Sequence, residues 1–159
     1  MESHQFVPLT VRERTSFRMR EALVRKRERR LNHEAFAYYD RLTPVLRYVE
    51  ANLSKPISLG EAAQAAGLER KYFSAFFRSK VGVPFTEWIR LLRVDRAETL
   101  IQHCDDSITR VAFAAGFREL RTFERVFKRH VGVTAREYRA SVRPEPRWIS
   151  RSPRGRPLS

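Results

Sequence analysis

Arg118, Arg121, Arg125 and Arg129 recur at intervals of three, four and four residues in the second half of the chain. At about 100° per residue they form one row along a helix, opposite Leu120, Phe123, Val126 and Phe127. Thr122 lies beside the row and Glu124 on its edge. Like charges at this spacing repel, so the row is a poor choice for stability alone. A guanidinium can fork onto the O6 and N7 of guanine, and a carboxylate can accept from the amine of cytosine. The pattern suits reading G·C base pairs. An earlier stretch carries Arg70, Lys71, Ser74 and Arg78 on the side away from Tyr72, Phe73, Phe76 and Phe77. Its centre offers Ser74 and Ala75, which have few options at base edges. Arg70, Lys71 and Arg78 are therefore expected to make phosphate contacts, with discrimination left to the second stretch.

Both stretches sit in the same frame, because the chain says one thing twice. Leu59, Ala62, Ala63, Ala66, Gly67 and Leu68 return as Ile108, Val111, Ala112, Ala115, Gly116 and Phe117, 49 residues on. Phe73, Phe77, Val81, Gly82, Val83 and Trp88 return as Phe123, Phe127, Val131, Gly132, Val133 and Tyr138, 50 residues on. The register slips once, between the turn glycine and the aromatic helix. Each copy reads as a short Ala-rich helix, a Gly turn and a basic helix with an apolar face. That is the helix-turn-helix pattern, and two copies imply two reading heads on nucleic acid.

Local signals place these elements. Thr43 and Pro44 fit an N-cap and first turn, followed by an apolar face of Val45, Leu46, Tyr48, Val49 and Leu53. Ser58 with Glu61 has capping-box spacing, and the first helix-turn-helix spans about 58–80. A helix from about 85 to 102 follows Pro84 and would span roughly 27 Å, close to one DNA repeat. Asp105, Asp106 and Ser107 offer N-caps for the second unit, about 107–129. No β pattern appears, so an all-α fold is expected: two homeodomain-like three-helix units joined by a long linker helix.

Flanking this module, residues 1–43 read as a basic, helical N-terminal extension, and residues 140–159 as a disordered basic tail rich in Pro, Arg and Ser. Phe17, Val24, Leu31 and Tyr38 recur every seventh residue, but a stripe one residue wide is too narrow for a stable zipper. A monomer is thus favoured over a homodimer. The net charge of +14 is spread along the whole chain. It divides as +4 over 1–43 (10 basic, 6 acidic), +6 over 44–139 (17 and 11) and +4 over 140–159 (5 and 1). Every section suits a polyanion.

Other functional classes find little footing. Gly-x-Ser-x-Gly elbows, phosphate-binding Gly-rich loops and dinucleotide fingerprints are absent. His4, His33, His103 and His130 are scattered, and the one cysteine, Cys104, leaves no zinc-like spacing and no internal disulfide. No enzyme activity, cofactor or metal is expected. The apolar runs are too short for a membrane span and the N-terminus lacks a signal core, so a cytoplasmic, nucleoid-associated protein is expected.

These residues resemble the AraC-type transcription regulators of bacteria. The resemblance covers about residues 44–139. It is most specific in Ile108-Thr-Arg-Val-Ala-Phe-Ala-Ala-Gly-Phe117, then Thr122-Phe-Glu-Arg-Val-Phe-Lys128, Gly132-Val-Thr134 and Tyr138-Arg139. Leu59-Gly-Glu-Ala-Ala63, Gly67-Leu68, Tyr72-Phe-Ser74 and Phe76-Phe-Arg78 agree less closely, and Arg93 and Ala97 fit the family's linker helix. Glu69 stands where relatives cap the first recognition helix with a small hydroxyl residue, Ala75 where they carry a long polar reader, and Ala135 where they have proline. The resemblance implies a sequence-specific regulator of double-stranded promoter DNA, with two recognition helices in successive major grooves and RNA polymerase as a protein partner. Residues 1–43 are too short and too charged for the β-rich sensor domain of many relatives, so no small-molecule effector is expected within this chain. The alternatives are a non-specific architectural DNA binder and a truncated regulator acting through a protein partner.

Overall fold

The computed structural model describes residues 31–143. Those residues form eight helices and no strand: α1 (Ala35–Tyr38), α2 (Leu42–Asn52), α3 (Leu59–Ala65), α4 (Arg70–Val81), α5 (Phe85–His103), α6 (Ile108–Ala114), α7 (Leu120–Val131) and α8 (Ala135–Val142). Helices α2, α3 and α4 make one three-helix unit and α6, α7 and α8 another. The 19 residues of α5 join them over about 28 Å.

Each helix-turn-helix closes by the same backbone device. In the first, Gly67 has φ +62 and its N–H donates to the Gln64 carbonyl, while Leu68 N–H reaches back to Ala63 at 3.0 Å. In the second, Gly116 has φ +99, its N–H donates to Phe113, and Phe117 N–H donates to Ala112 at 3.0 Å. This is the Schellman pair of bonds, which satisfies the last helix carbonyls and needs a residue tolerant of positive φ. The next helix starts at once in the first unit, with Glu69 as N-cap of α4. In the second unit one more residue, Arg118, intervenes before the N-cap Glu119. The slip in the repeat is therefore an insertion in the turn, and Arg118 stands in that turn instead of on the recognition helix where it was expected.

Two hydrophobic cores result, and α5 belongs to both. Phe85, Trp88 and Ile89 enter the first core, beside Phe73 and Phe77 of α4 and Val45 and Val49 of α2. Ring centroids among Phe73, Phe77, Phe85 and Trp88 lie 5.2–6.0 Å apart. Val94, Ala97 and Ile101 enter the second core, with Phe123, Phe127 and Tyr138. At about 100° per residue, 85–88–92 and 94–97–101 are stripes on roughly opposite faces of one helix. That arrangement explains why α5 carries no single apolar face.

Several local expectations change in three dimensions. Helix α2 starts at Leu42, so Thr43 lies inside it and donates its hydroxyl backward to the Phe36 carbonyl at 3.2 Å. Ser58 caps α3 by accepting from Gly60 and Glu61 N–H, but the box does not close directly. The Tyr48 hydroxyl stands between: Ser58 N–H donates to it at 3.2 Å, and it donates to Glu61 Oε2 at 2.6 Å. Burial, and next the Glu61 hydrogen bond, raise the Tyr48 pKa and keep this donor protonated. Of the three candidate caps for α6, Ser107 is the one used. A complete capping box occurs at Thr134 and Glu137, where α8 begins.

Residues 31–41 pack onto the first unit. Asn32 N–H donates to the Val81 carbonyl, Ala35 is buried, and Phe36 stacks on Trp88 at 4.8 Å. Leu31 packs on the first core, whereas Tyr38 is 79% exposed and the one-turn α1 stops there. Those two members of the seven-residue stripe therefore do not share a helix. Phe17, Val24, the rest of the N-terminal extension and the tail from residue 144 lie outside the described residues.

The two turn glycines differ in surroundings, which yields a prediction. A Cβ on Gly67 would meet nothing nearer than 3.5 Å, an arginine side chain. A Cβ on Gly116 would fall 2.2 Å from the Leu53 carbonyl oxygen. Gly67→Ala is expected to cost about 1–2 kcal/mol, the left-handed backbone alone. Gly116→Ala is expected to cost about 4 kcal/mol or more, since backbone must move as well. Urea unfolding of the two variants checks this, and equal costs would contradict it.

Candidate nucleic-acid interface

Helices α4 and α7 are the second helices of their helix-turn-helix pairs, α3–α4 and α6–α7, and each shows solvent the side its core does not use. On α4, Arg70, Lys71, Ser74 and Arg78 are all exposed, as is Ala75. Phe73 and Phe77 are fully buried behind them. Tyr72 does not join the buried aromatics as its sequence pattern suggests: it is 62% exposed, on the flank of the basic face. Helical geometry places it well round from Phe73 and Phe77, which already fill the contact with α5.

On α7, Arg121, Glu124, Arg125 and Arg129 are exposed over the buried Phe123, Val126 and Phe127. Arg118 is exposed in the preceding turn. Thr122 is half-buried and donates its hydroxyl to Glu119 Oε2 at 3.0 Å, which turns it toward the helix start. The structure brings Arg121, Glu124 and Arg125 together along one cleft of about 520 Å³. Ile108 of α6, Lys128 of α7, and Thr134, Ala135 and Arg136 at the start of α8 complete its lining. Arg118, Thr122 and Arg129 are not part of that lining.

Sequence reasoning missed Lys128 and Arg136. Lys128 lies seven residues after Arg121, which is the same helical face, so its signal was present in the spacing. Arg136 belongs to a different helix, and only the packing of α8 across α7 places it here. Arg139 holds α8 in position by donating from Nη2 to the Asp106 carbonyl at 2.6 Å. At the far end of α7, His130 Nε2 lies 3.2 Å from Glu87 Oε1 on α5, an ion pair when the imidazole is protonated. Among the described residues, no cluster of three or more His, Cys, Asp or Glu could hold a metal, and no helix is long and apolar enough to cross a membrane. The cleft is a cationic surface with one embedded carboxylate, suited to a polyanion with hydrogen-bonding edges.

Where the two units meet, the sequence marks Arg93 only as fitting the family's linker helix, without a partner. Arg93, midway along α5, donates from Nε to the Leu53 carbonyl at 3.1 Å and from Nη2 to the Lys55 carbonyl at 2.8 Å. Leu53 is the C-cap of α2, so a side chain of the linker satisfies the cap carbonyl and one more, at Lys55, in the turn beyond the helix. Burial lowers the Arg93 pKa. Gly116, in the turn of the second unit, rests on the same Leu53 carbonyl.

Two Gly-turned helix pairs with basic outer faces define a helix-turn-helix protein. A family model described as a helix-turn-helix domain matches residues 62–141, half of the chain. The crystal structure of a transcriptional regulator with an AraC-type DNA-binding domain from Chromobacterium violaceum aligns at TM-score 0.60 and 28% identity, covering 67% of this chain and 95% of that one. The DNA-binding domain of AdpA, a global transcriptional factor solved in complex with a target DNA, aligns at TM-score 0.62 and 30% identity, covering 65% and 94%. The chain belongs to the AraC-type helix-turn-helix family of transcription regulators. Among curated relatives, the HTH-type regulator YkgA of Escherichia coli is 36% identical over 98 residues, and the regulatory protein PocR of Salmonella typhimurium 32% over 102. The aligned residues are 62% and 64% of this chain but only 41% and 34% of those relatives.

The start of α4 is open to improvement, and this is testable. Glu69 occupies the N-cap with no side-chain bond to the helix N–H groups. Glu69→Ser is expected to raise stability by about 1 kcal/mol through a direct cap bond. A higher urea midpoint would show it; an unchanged midpoint would mean those N–H groups already have adequate partners.

Proposed function

We propose that this chain is a sequence-specific regulator of transcription that inserts α4 and α7 into successive major grooves of double-stranded DNA. The observation that carries the reading is the cationic outer face of α7. Arg121 and Arg125 stand there one turn apart, with Glu124 on the edge of their row, along one cleft. Such a set suits guanine edges for the arginines and a cytosine amine for the glutamate. Lys128, Arg136 and the turn residue Arg118 are placed to meet flanking phosphates, and Arg129 extends the charge along the helix. The α4 face, with Ser74 and Ala75 at its centre, contributes phosphate contacts through Arg70, Lys71 and Arg78. The AdpA domain, solved with its target DNA, supports DNA as the ligand. RNA polymerase is the protein partner that a regulator of this kind needs, and the nucleoid in the cytoplasm is where it would act. The chain works without cofactor, catalysis or an effector site of its own, and as a monomer.

A second reading is favoured by one observation. The sparse face of α4, together with net positive charge in every section of the chain, fits an architectural binder with little sequence preference. The two readings separate on the variants. Arg121→Ala or Arg125→Ala is expected to cost about 1–3 kcal/mol on the preferred site and to relax its sequence. Lys71→Ala or Arg78→Ala is expected to weaken all sequences alike and to reduce the salt slope. Fluorescence anisotropy across a salt series on preferred and scrambled duplexes measures both. If Arg121→Ala lowers affinity for every duplex equally, the architectural reading holds.

A further inference from the structure

The contact at Leu53 joins three parts that the sequence keeps far apart: the end of α2 in the first unit, the middle of α5, and the turn before α7 in the second. Arg93 grips the Leu53 and Lys55 carbonyls at 3.1 and 2.8 Å, and Gly116 approaches the same Leu53 carbonyl oxygen beside it, with Arg93 Nε itself only 2.8 Å from where a Cβ would be. A cation at the carbonyl end of α2 is also favoured by the helix dipole. The position within α5 is telling. Ile89 belongs to the first core and Val94 to the second, so Arg93 lies where the helix passes from one to the other. Recognition helix α7 begins at Leu120, four residues beyond Gly116. A small rotation at this contact would therefore be carried directly into the direction in which α7 points.

We propose that Arg93 is a positioning residue for DNA recognition: by clamping the end of α2 against the turn of the second unit, it fixes the offset between α4 and α7 and so sets the half-site spacing the protein accepts. This rests on the two-groove reading. It makes a claim about spacing that simple stabilisation by Arg93 does not, because a purely structural role lowers stability and leaves spacing preference unchanged. Helix α5 still enters both cores when Arg93 is altered, so the preference is expected to broaden instead of vanishing.

The test uses the full chain and a set of duplexes carrying both half-sites with the spacer lengthened or shortened by one and two base pairs, plus a duplex with the α7 half-site alone. The wild type is expected to lose about tenfold or more in affinity two base pairs from its optimum, because the units cannot then engage together. Arg93→Met, which keeps the stem and removes the donors, is expected to lose only about threefold over the same change while binding the single half-site as the wild type does. Arg93→Lys retains the charge and one donor, is the milder variant should Met fail to fold, and is expected to fall between. Equally sharp spacing dependence in the wild type and the folded variants would overturn the role of Arg93 and leave the two-groove reading standing. A wild type indifferent to spacing would instead overturn the two-groove reading, and this proposal with it.

Discussion

Helix α5 has to satisfy two hydrophobic cores at once, and the rest of the molecule is arranged around that demand. Its stripe at Phe85, Trp88 and Ile89 is covered by the first unit and its opposite stripe at Val94, Ala97 and Ile101 by the second. A helix buried on two opposite faces cannot turn about its axis without uncovering both, which makes it a shared axle for the two units. Burial of large apolar side chains at about 1.5–3 kcal/mol each makes that penalty steep. Arg93 and Gly116 then fix the remaining freedom, the tilt of one unit against the other. Arg93 meets two backbone carbonyls, and Gly116 allows a backbone approach that no other residue permits.

On this scaffold the duplication is a duplication of packing. The positions shared by the copies are buried alanines and aromatics and the turn glycines, and both copies end their first helix with the same pair of backbone bonds. The outer faces are free of that constraint and have diverged. One carries Lys71, Ser74 and Ala75, the other Arg121, Glu124, Arg125 and Lys128. Under the proposed function, the first head anchors and the second discriminates. The added turn residue Arg118 belongs to the same divergence, since it changes how the chain enters α7 without altering the core beneath.

The sequence was most readable where local rules govern. Gly67, Gly82, Gly116 and Gly132 all have positive φ at helix ends, as their positions implied. The boundary of α5 differs from expectation by a single residue. Legibility failed where the answer depends on contacts between distant segments. Thr43 is not an N-cap because α2 already begins at Leu42, and its hydroxyl instead donates to Phe36, seven residues earlier. Tyr72 is exposed because Phe73 and Phe77 fill the space against α5. Arg136 reaches the cleft because Ala135 and Tyr138 bury α8 in the second core and Arg139 donates to the Asp106 carbonyl just before α6. Arg93 fits a family pattern, yet its work is done on Leu53 and Lys55, 40 and 38 residues away. No periodicity reports such a partnership. The same holds for Gly116, which looks like an ordinary turn glycine until the Leu53 carbonyl is seen against it.

Under the proposed function, two unequal heads held at a fixed offset read DNA together. Selection of bound sequences from random double-stranded DNA by the full chain tests it most directly. The expected result is a bipartite site with two blocks about ten base pairs apart, one rich in G·C and sharply defined, the other weakly defined. A single block, or enrichment no greater than for random DNA, would contradict the account.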